Sequence, residues 1–225
     1  MTEGAKECAR WWFIRLMCMR QGPRRLADMR GGIPASAAKV YPDAAGVSVS
    51  DPWKGAGACL EDGSWSYLPW VGKIKNSDLG RNLSLLEGVA ALMGVVMGVV
   101  NYPGQPLAVQ EDNQGFCFIF RAGNSRCRLC WTIAKAIGDV SKGAGVRVAI
   151  VKVGRVTGDG EIVADALSKG EFEKAFGVMK LKEEAEKMPR ALLKWVENPR
   201  VTARLGMEIL ENLRVKIPIL PMELC

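Results

Sequence analysis

"VQEDNQGFCFIF", residues 109–120, decides how this chain is read. Strand-forming residues run into two adjacent carboxylates, and Asn113-Gln114-Gly115 then opens a helix. Charge at the exit of a hydrophobic strand is costly where it is buried. Either Glu111 and Asp112 simply end the strand and cap the helix, roles that favour Asp and Asn, or one of them holds a metal. The second reading requires acids elsewhere in the chain at matching places.

On either side of this stretch the elements alternate. Residues 1–30 predict a helix with one basic side, closed by Gly22-Pro23, and "RGGIPAS" reads as a linker. "AAKVYPDAAGVSVS" predicts a strand and a loop, and "WKGAGACLEDGSWSYLPW" two strands joined at Asp62-Gly63, a hairpin signal. A helix over 83–100 follows, then a turn at 101–104 and the strand "QPLAVQ". Helices over about 113–122 and 125–141 precede the β-branched strand "GVRVAIVKV", the loop "GRVTGDG" and the short helix "EIVADALSK". This order predicts an α/β fold with a five-stranded mixed sheet, three strands antiparallel and two reached by helical crossovers. The expected organisation is a basic N-terminal arm and linker (1–36), an α/β domain (37–170) and a charged helical C-terminal tail (171–225), broken at Pro189 and Pro199.

The composition, 48% hydrophobic and 24% charged over 225 residues, excludes general disorder. The net charge of +7 is concentrated at the start, where residues 1–42 hold eight Lys/Arg against three Asp/Glu. A basic arm suits a polyanionic partner such as nucleic acid, and a solvated surface has the same composition. The chain has no histidine, which excludes Ser-His-Asp and Cys-His catalysis and imidazole metal ligands. Its seven cysteines are irregularly spaced with no signal peptide read ahead of them, so reduced thiols in an intracellular setting, cytoplasm or nucleus, are expected. Cys127-Arg-Leu-Cys130 is a lone CxxC and falls short of the four ligands of a structural zinc site. The apolar run in 83–100 has only 13 uncharged residues after Glu87, short of the roughly 20 a membrane span needs. It reads as a buried helix, packed closely through Gly88, Gly94 and Gly98, with no membrane as partner. Glu87 is the anomaly within it.

Four acids fall at comparable places: Asp43 after the first strand segment, Glu87 in the first long helix, Asp112 at the end of the fourth strand and Asp165 in the helix after the fifth. Each also has a structural reading, Asp43 as a turn residue, Asp112 as a cap and Asp165 as a solvent-facing side chain. Glu111, Asp62 and Asp159 read as surface or turn residues. In "YPDAAG" with "WKGAGACL", "LSLLEGVAAL", "VQEDNQGFCFIF" and "GRVTGDGEIVADALSKG", the chain resembles the ribonuclease H family, most closely the RNase H domains of DIRS-like retroelement reverse transcriptases. "ARWWF" near the start resembles the segment joining polymerase to RNase H. The resemblance spans about residues 9–175.

What the resemblance implies is an RNase H-like fold and an endonuclease cutting the RNA strand of an RNA·DNA hybrid. Two Mg2+ ions, or Mn2+ in their place, would be held by carboxylates, since hard cations take oxygen ligands. By the same resemblance, Asp43 and Asp112 contact both ions, Glu87 the ion nearer the RNA 2′-hydroxyl, and Asp165 the ion holding water. Gln114 with Asn113 would meet the hybrid's minor groove, where the 2′-hydroxyl marks RNA. Arg126, Arg128 and Arg155 are candidate phosphate contacts, or a solvated face. The partners implied are the hybrid and a reverse transcriptase domain of the same polyprotein. A catalytically inactive module binding nucleic acid or a protein partner is the alternative.

Three departures from the family pattern stand out. Pro42 precedes the first acid and is expected to force it onto a bulge or strand end. The stretch between Asp43 and Gly55 is long. Arg155 and Glu161 stand where relatives have a product-releasing His and an Asn, and Arg cannot shuttle a proton near neutral pH, so slow turnover is expected.

Overall fold

The structure is a computed structural model that describes residues 34–48, 50–123, 125–154 and 158–213. The basic arm, apart from its last residues, and Arg155 lie outside the described residues. Strands β1 (Ala38–Ala44), β2 (Gly55–Leu60) and β3 (Trp65–Pro69) form an antiparallel meander. A helix α1 (Gly72–Asn76) and a 3-10 turn (Asp78–Arg81) lead into the long α2 (Leu83–Asn101). Then come β4 (Leu107–Glu111), α3 (Gln114–Ala122), α4 (Arg128–Gly143) and β5 (Val148–Lys152). The chain continues through α5 (Asp159–Ser168), α6 (Phe172–Val178), α7 (Arg190–Glu197) and α8 (Leu205–Leu213).

The sheet order is β3-β2-β1-β4-β5, with β4 parallel to both β1 and β5. The expected mixed sheet of five strands flanked by helices is therefore present, and so is the hairpin at Gly63, whose φ of +80° suits glycine. Pro42 does not displace the first acid. It pairs with Ala58 inside a regular ladder, and Asp43 stands opposite Gly57. The ladder from β1 to β4 runs only from Ala38 to Val40, so the missing N–H of Pro42 falls beyond it, where the two parallel strands part.

The principal core lies between the sheet and α2, α4, α7 and α8. Every residue of α2 from Leu85 to Val99 is buried. By length and composition α2 could cross a membrane, yet it packs inside the protein, with 83% of its most apolar window buried. Its glycines do what their spacing predicts. A methyl at Gly88 would lie 2.6 Å from the Phe116 ring, and one at Gly94 2.4 Å from Val40 Cγ1. The opposite face carries a smaller core of Cys59, Val163, Ala164, Ala166, Leu167, Ala175 and Leu181, under α5 and α6. β2 is consequently buried at every position.

The tail segments are built into this body. Leu192, Trp195, Val196, Leu205, Ile209 and Leu210 belong to the principal core. Residues 182–186 run along the outer edge of β3, where Lys182 N–H donates to Gly63 O at 2.9 Å and Glu186 N–H to Trp65 O at 2.7 Å. That strap covers backbone groups an edge strand otherwise leaves open.

Candidate metal centre

Strand alternation sorts the acids. On β4, Leu107 and Val109 point into the principal core, and the period of two places Glu111 on the same face, toward α2. On β1, Val40 faces that core while Tyr41 packs on the opposite cluster, so Asp43 faces α5. β1 and β4 are parallel neighbours, and their carboxyl ends open one crevice between two helical layers.

Glu87 enters the crevice from the second turn of α2. The Asn82 side chain sets the start of that helix by accepting from Leu85 N–H at 3.1 Å. Asn113 caps α3 in the same way, its Oδ1 accepting from Phe116 N–H at 2.8 Å and from Ser84 Oγ at 3.2 Å. The first turns of α2 and α3 are thereby tied together, with their positive dipole ends toward the acids. Glu87, Glu111 and Asp112 each offer a carboxylate oxygen, and these oxygens lie within 4.8 Å of one another.

Glu111 corrects the expectation of a surface or turn residue, being 1% exposed. Its Oε1 accepts from Asn113 N–H at 2.9 Å, while its Oε2 is buried with no hydrogen-bond partner among the described residues. An unsatisfied buried acceptor costs about 1–3 kcal/mol, and more where it is charged. Burial pushes the Glu111 carboxyl well above the usual carboxylate range, with Asp112 and Asp43 adding to the shift against the Asn113 N–H. Glu87 is pushed up by burial first, then by the charges of Glu111, Asp43 and Asp112, against a backbone hydrogen bond at Ala44. These shifts have one sense: burial, and after it the neighbouring carboxylates, favour the neutral carboxyl over the charged one.

Asp43 and Asp165 make up the other half of the site, on the α5 side. Ser168 Oγ donates to Asp43, and Lys169 Nζ lies 2.6 Å from Asp165 Oδ1. Burial raises the Asp43 carboxyl to about 6; the Ser168 hydroxyl opposes this, while Asp165 and Asp112 add to it. This geometry depends on Gly57, opposite Asp43. A methyl there would lie 2.7 Å from Ala164 O and from Ser168 N, so the absent side chain lets α5 rest directly on the strand.

The remaining candidates have clear places. Asp112 and Gln114 are exposed at the crevice mouth, and Asn113 serves as the α3 cap. Arg126 and Arg128 are exposed at the start of α4. Glu161 caps α5, its Oε2 accepting from Gly158 N–H at 2.6 Å. Asp159 is exposed, and Asp62 sits in the β2–β3 turn, paired with Lys182 at 2.8 Å. Cys127 caps α4 and, like Cys130, is a free thiol, so the CxxC is a helix start.

The donor set is all oxygen, which fits hard divalent cations such as Mg2+ or Mn2+ better than zinc or copper. The orphaned Oε2 of Glu111 is the observation that fits a cation most directly. No family model matches the chain, and no match is found among curated proteins or solved structures.

Proposed function

We propose that the chain is a ribonuclease H-like, metal-dependent endonuclease that hydrolyses the RNA strand of an RNA·DNA hybrid, part of or derived from a retroelement reverse transcriptase. The observation that carries this reading is the gathering of Glu87, Glu111 and Asp112, with Asp43 electrostatically coupled to them, at the parting carboxyl ends of β1 and β4. The sheet order β3-β2-β1-β4-β5 with flanking helices is consistent with an RNase H-like fold.

In this reading Asp43, Glu87 and Asp112 hold the cations, and Asp165 joins them once Lys169 turns away. Two Mg2+ ions held there would supply activation of the attacking water and stabilisation of the leaving 3′-oxygen. In this reading Gln114, exposed on the first turn of α3, meets the hybrid's minor groove, and the exposed Arg126 and Arg128 meet phosphates. The chemistry needs no histidine, because the protein positions charge and supplies no nucleophile.

The test is cleavage of a labelled RNA·DNA hybrid in Mg2+ and in Mn2+, with Asp112→Asn alongside. Asp112 is exposed, so the variant should fold, and its activity should fall by more than about 100-fold, the upper range for losing a mere outer-shell group. Equal cleavage by both proteins would contradict the reading. A second reading, a module that binds nucleic acid or a protein partner without cutting, is favoured by one observation: Lys169 and Ser168 already occupy Asp165 and Asp43. Hybrid binding with no cleavage in either metal would select it.

A further inference from the structure

We infer that Glu111 is itself a metal ligand, so that Glu87, Glu111 and Asp112 form a three-carboxylate site for one hard divalent cation on the α2 side of the crevice. The inference rests on reading the crevice as a divalent-metal centre, and it adds a fifth carboxylate to the four acids of the sequence pattern.

Three observations carry it. The first is proximity: the three carboxylates each bring an oxygen within 4.8 Å of the other two, close enough for one ion to bridge them. The second is the state of Glu111, whose Oε2 is buried and unpartnered while Oε1 is fixed by Asn113 N–H. A glutamate kept for structure alone would place both oxygens on donors or share a proton with Glu87. Oε2 meets no donor among the described residues, and the Mn2+ titration below separates a bound cation from a proton shared with Glu87. The third is support. The backbone of Glu111 is held along β5, its carbonyl accepting from Val153 N–H at 3.0 Å and the residue pairing with Lys152. A ligand on a rigid strand, opposite one on a rigid buried helix, is preorganised for a cation. Asp165 and Asp43, held by Lys169 and Ser168 across the sheet, are not needed for this ion.

Direct Mn2+ binding to the nucleic-acid-free protein, followed by the electron paramagnetic signal of free Mn2+, tests the assignment. Glu111→Gln keeps the shape and removes the charge. It should weaken Mn2+ binding by at least about ten-fold and abolish the rise in melting temperature that Mn2+ gives the parent. Without metal, the same variant should melt at or above the parent's temperature, because a repulsive charge has gone. Asp62→Asn, in the β2–β3 turn away from the crevice, should bind Mn2+ within about two-fold of the parent, a change too small to mark loss of a ligand. Parent-like Mn2+ binding by Glu111→Gln would overturn the inference, as would equal losses in Glu111→Gln and Asp62→Asn. Should Glu111→Gln not fold, Glu87→Gln provides the same comparison, and parent-like binding by it would also overturn the site. Hybrid cleavage separates the two levels: a parent that cuts hybrid while Mn2+ ignores Glu111 refutes this inference alone, and a parent that binds Mn2+ through Glu111 without cutting refutes the proposed function alone.

Discussion

At the scale of single residues, Gly57 and Glu111 decide the site. Gly57 is where a side chain would push α5 off the strand that carries Asp43. Gly57→Ala puts a methyl 2.7 Å from backbone atoms of α5. Overpacking of this kind costs about 1–3 kcal/mol, read as a lowered melting temperature. Hybrid cleavage should fall further than the lost stability explains, because α5 carries Asp165 and Ser168. A variant with parent-like cleavage would show that the α5 side of the crevice is not used. Glu87 was legible in the sequence as an acid inside an apolar helix, and Asp112 as one at a strand exit. Glu111 was misread as a surface residue although a signal was present: Leu107, Val109 and Glu111 alternate on one face, and two apolar members mark that face as buried. Its neighbour Asp112, one residue on, is exposed.

At the scale of elements, period and punctuation were readable because local chemistry sets them. Asp62-Gly63 made the hairpin, Gly123 closed α3 with a φ of +61°, and the β-branched run became β5. The behaviour of Pro42 was not readable, because it depends on how far β1 pairs with β4, a non-local fact. The packing of the last helices was equally hidden, since their charge masks a few large apolar side chains. Trp195 is 4% exposed and its indole N–H donates to Arg200 O at 2.8 Å. Trp195→Ala should therefore cost about 3–5 kcal/mol, the range for a core aromatic, measured by urea denaturation. A loss below about 1 kcal/mol, as at surface sites, would mean that α7 and α8 are an appendage to the fold.

At the scale of the whole molecule, the fold buries carboxyls that resist ionisation and that a bound cation would hold in the charged form, and stability should reveal it. Asp43 is raised from 3.8 to about 6, and Glu87 and Glu111 are raised as well. A carboxyl with a raised folded value favours the folded state fully below its unfolded value, and that advantage is lost as pH rises through the folded value. Metal-free protein should lose stability from about pH 4 through 6 and beyond, and Mg2+ or Mn2+ should restore more at pH 8 than at pH 5. Thermal melts across this range check it, and a metal-free melting temperature that climbs steadily from pH 5 to 8 would contradict the assigned strain. The central claim concerns the bond that breaks, and end-group analysis of the cleaved strand tests it most directly. With a uniformly labelled RNA·DNA hybrid and Mn2+, the account predicts RNA fragments ending in 3′-hydroxyl and 5′-phosphate, as water attack with a 3′-oxygen leaving group requires. An intact RNA strand under saturating metal, or fragments ending in 2′,3′-cyclic phosphate from attack by the RNA's own 2′-hydroxyl, would contradict it.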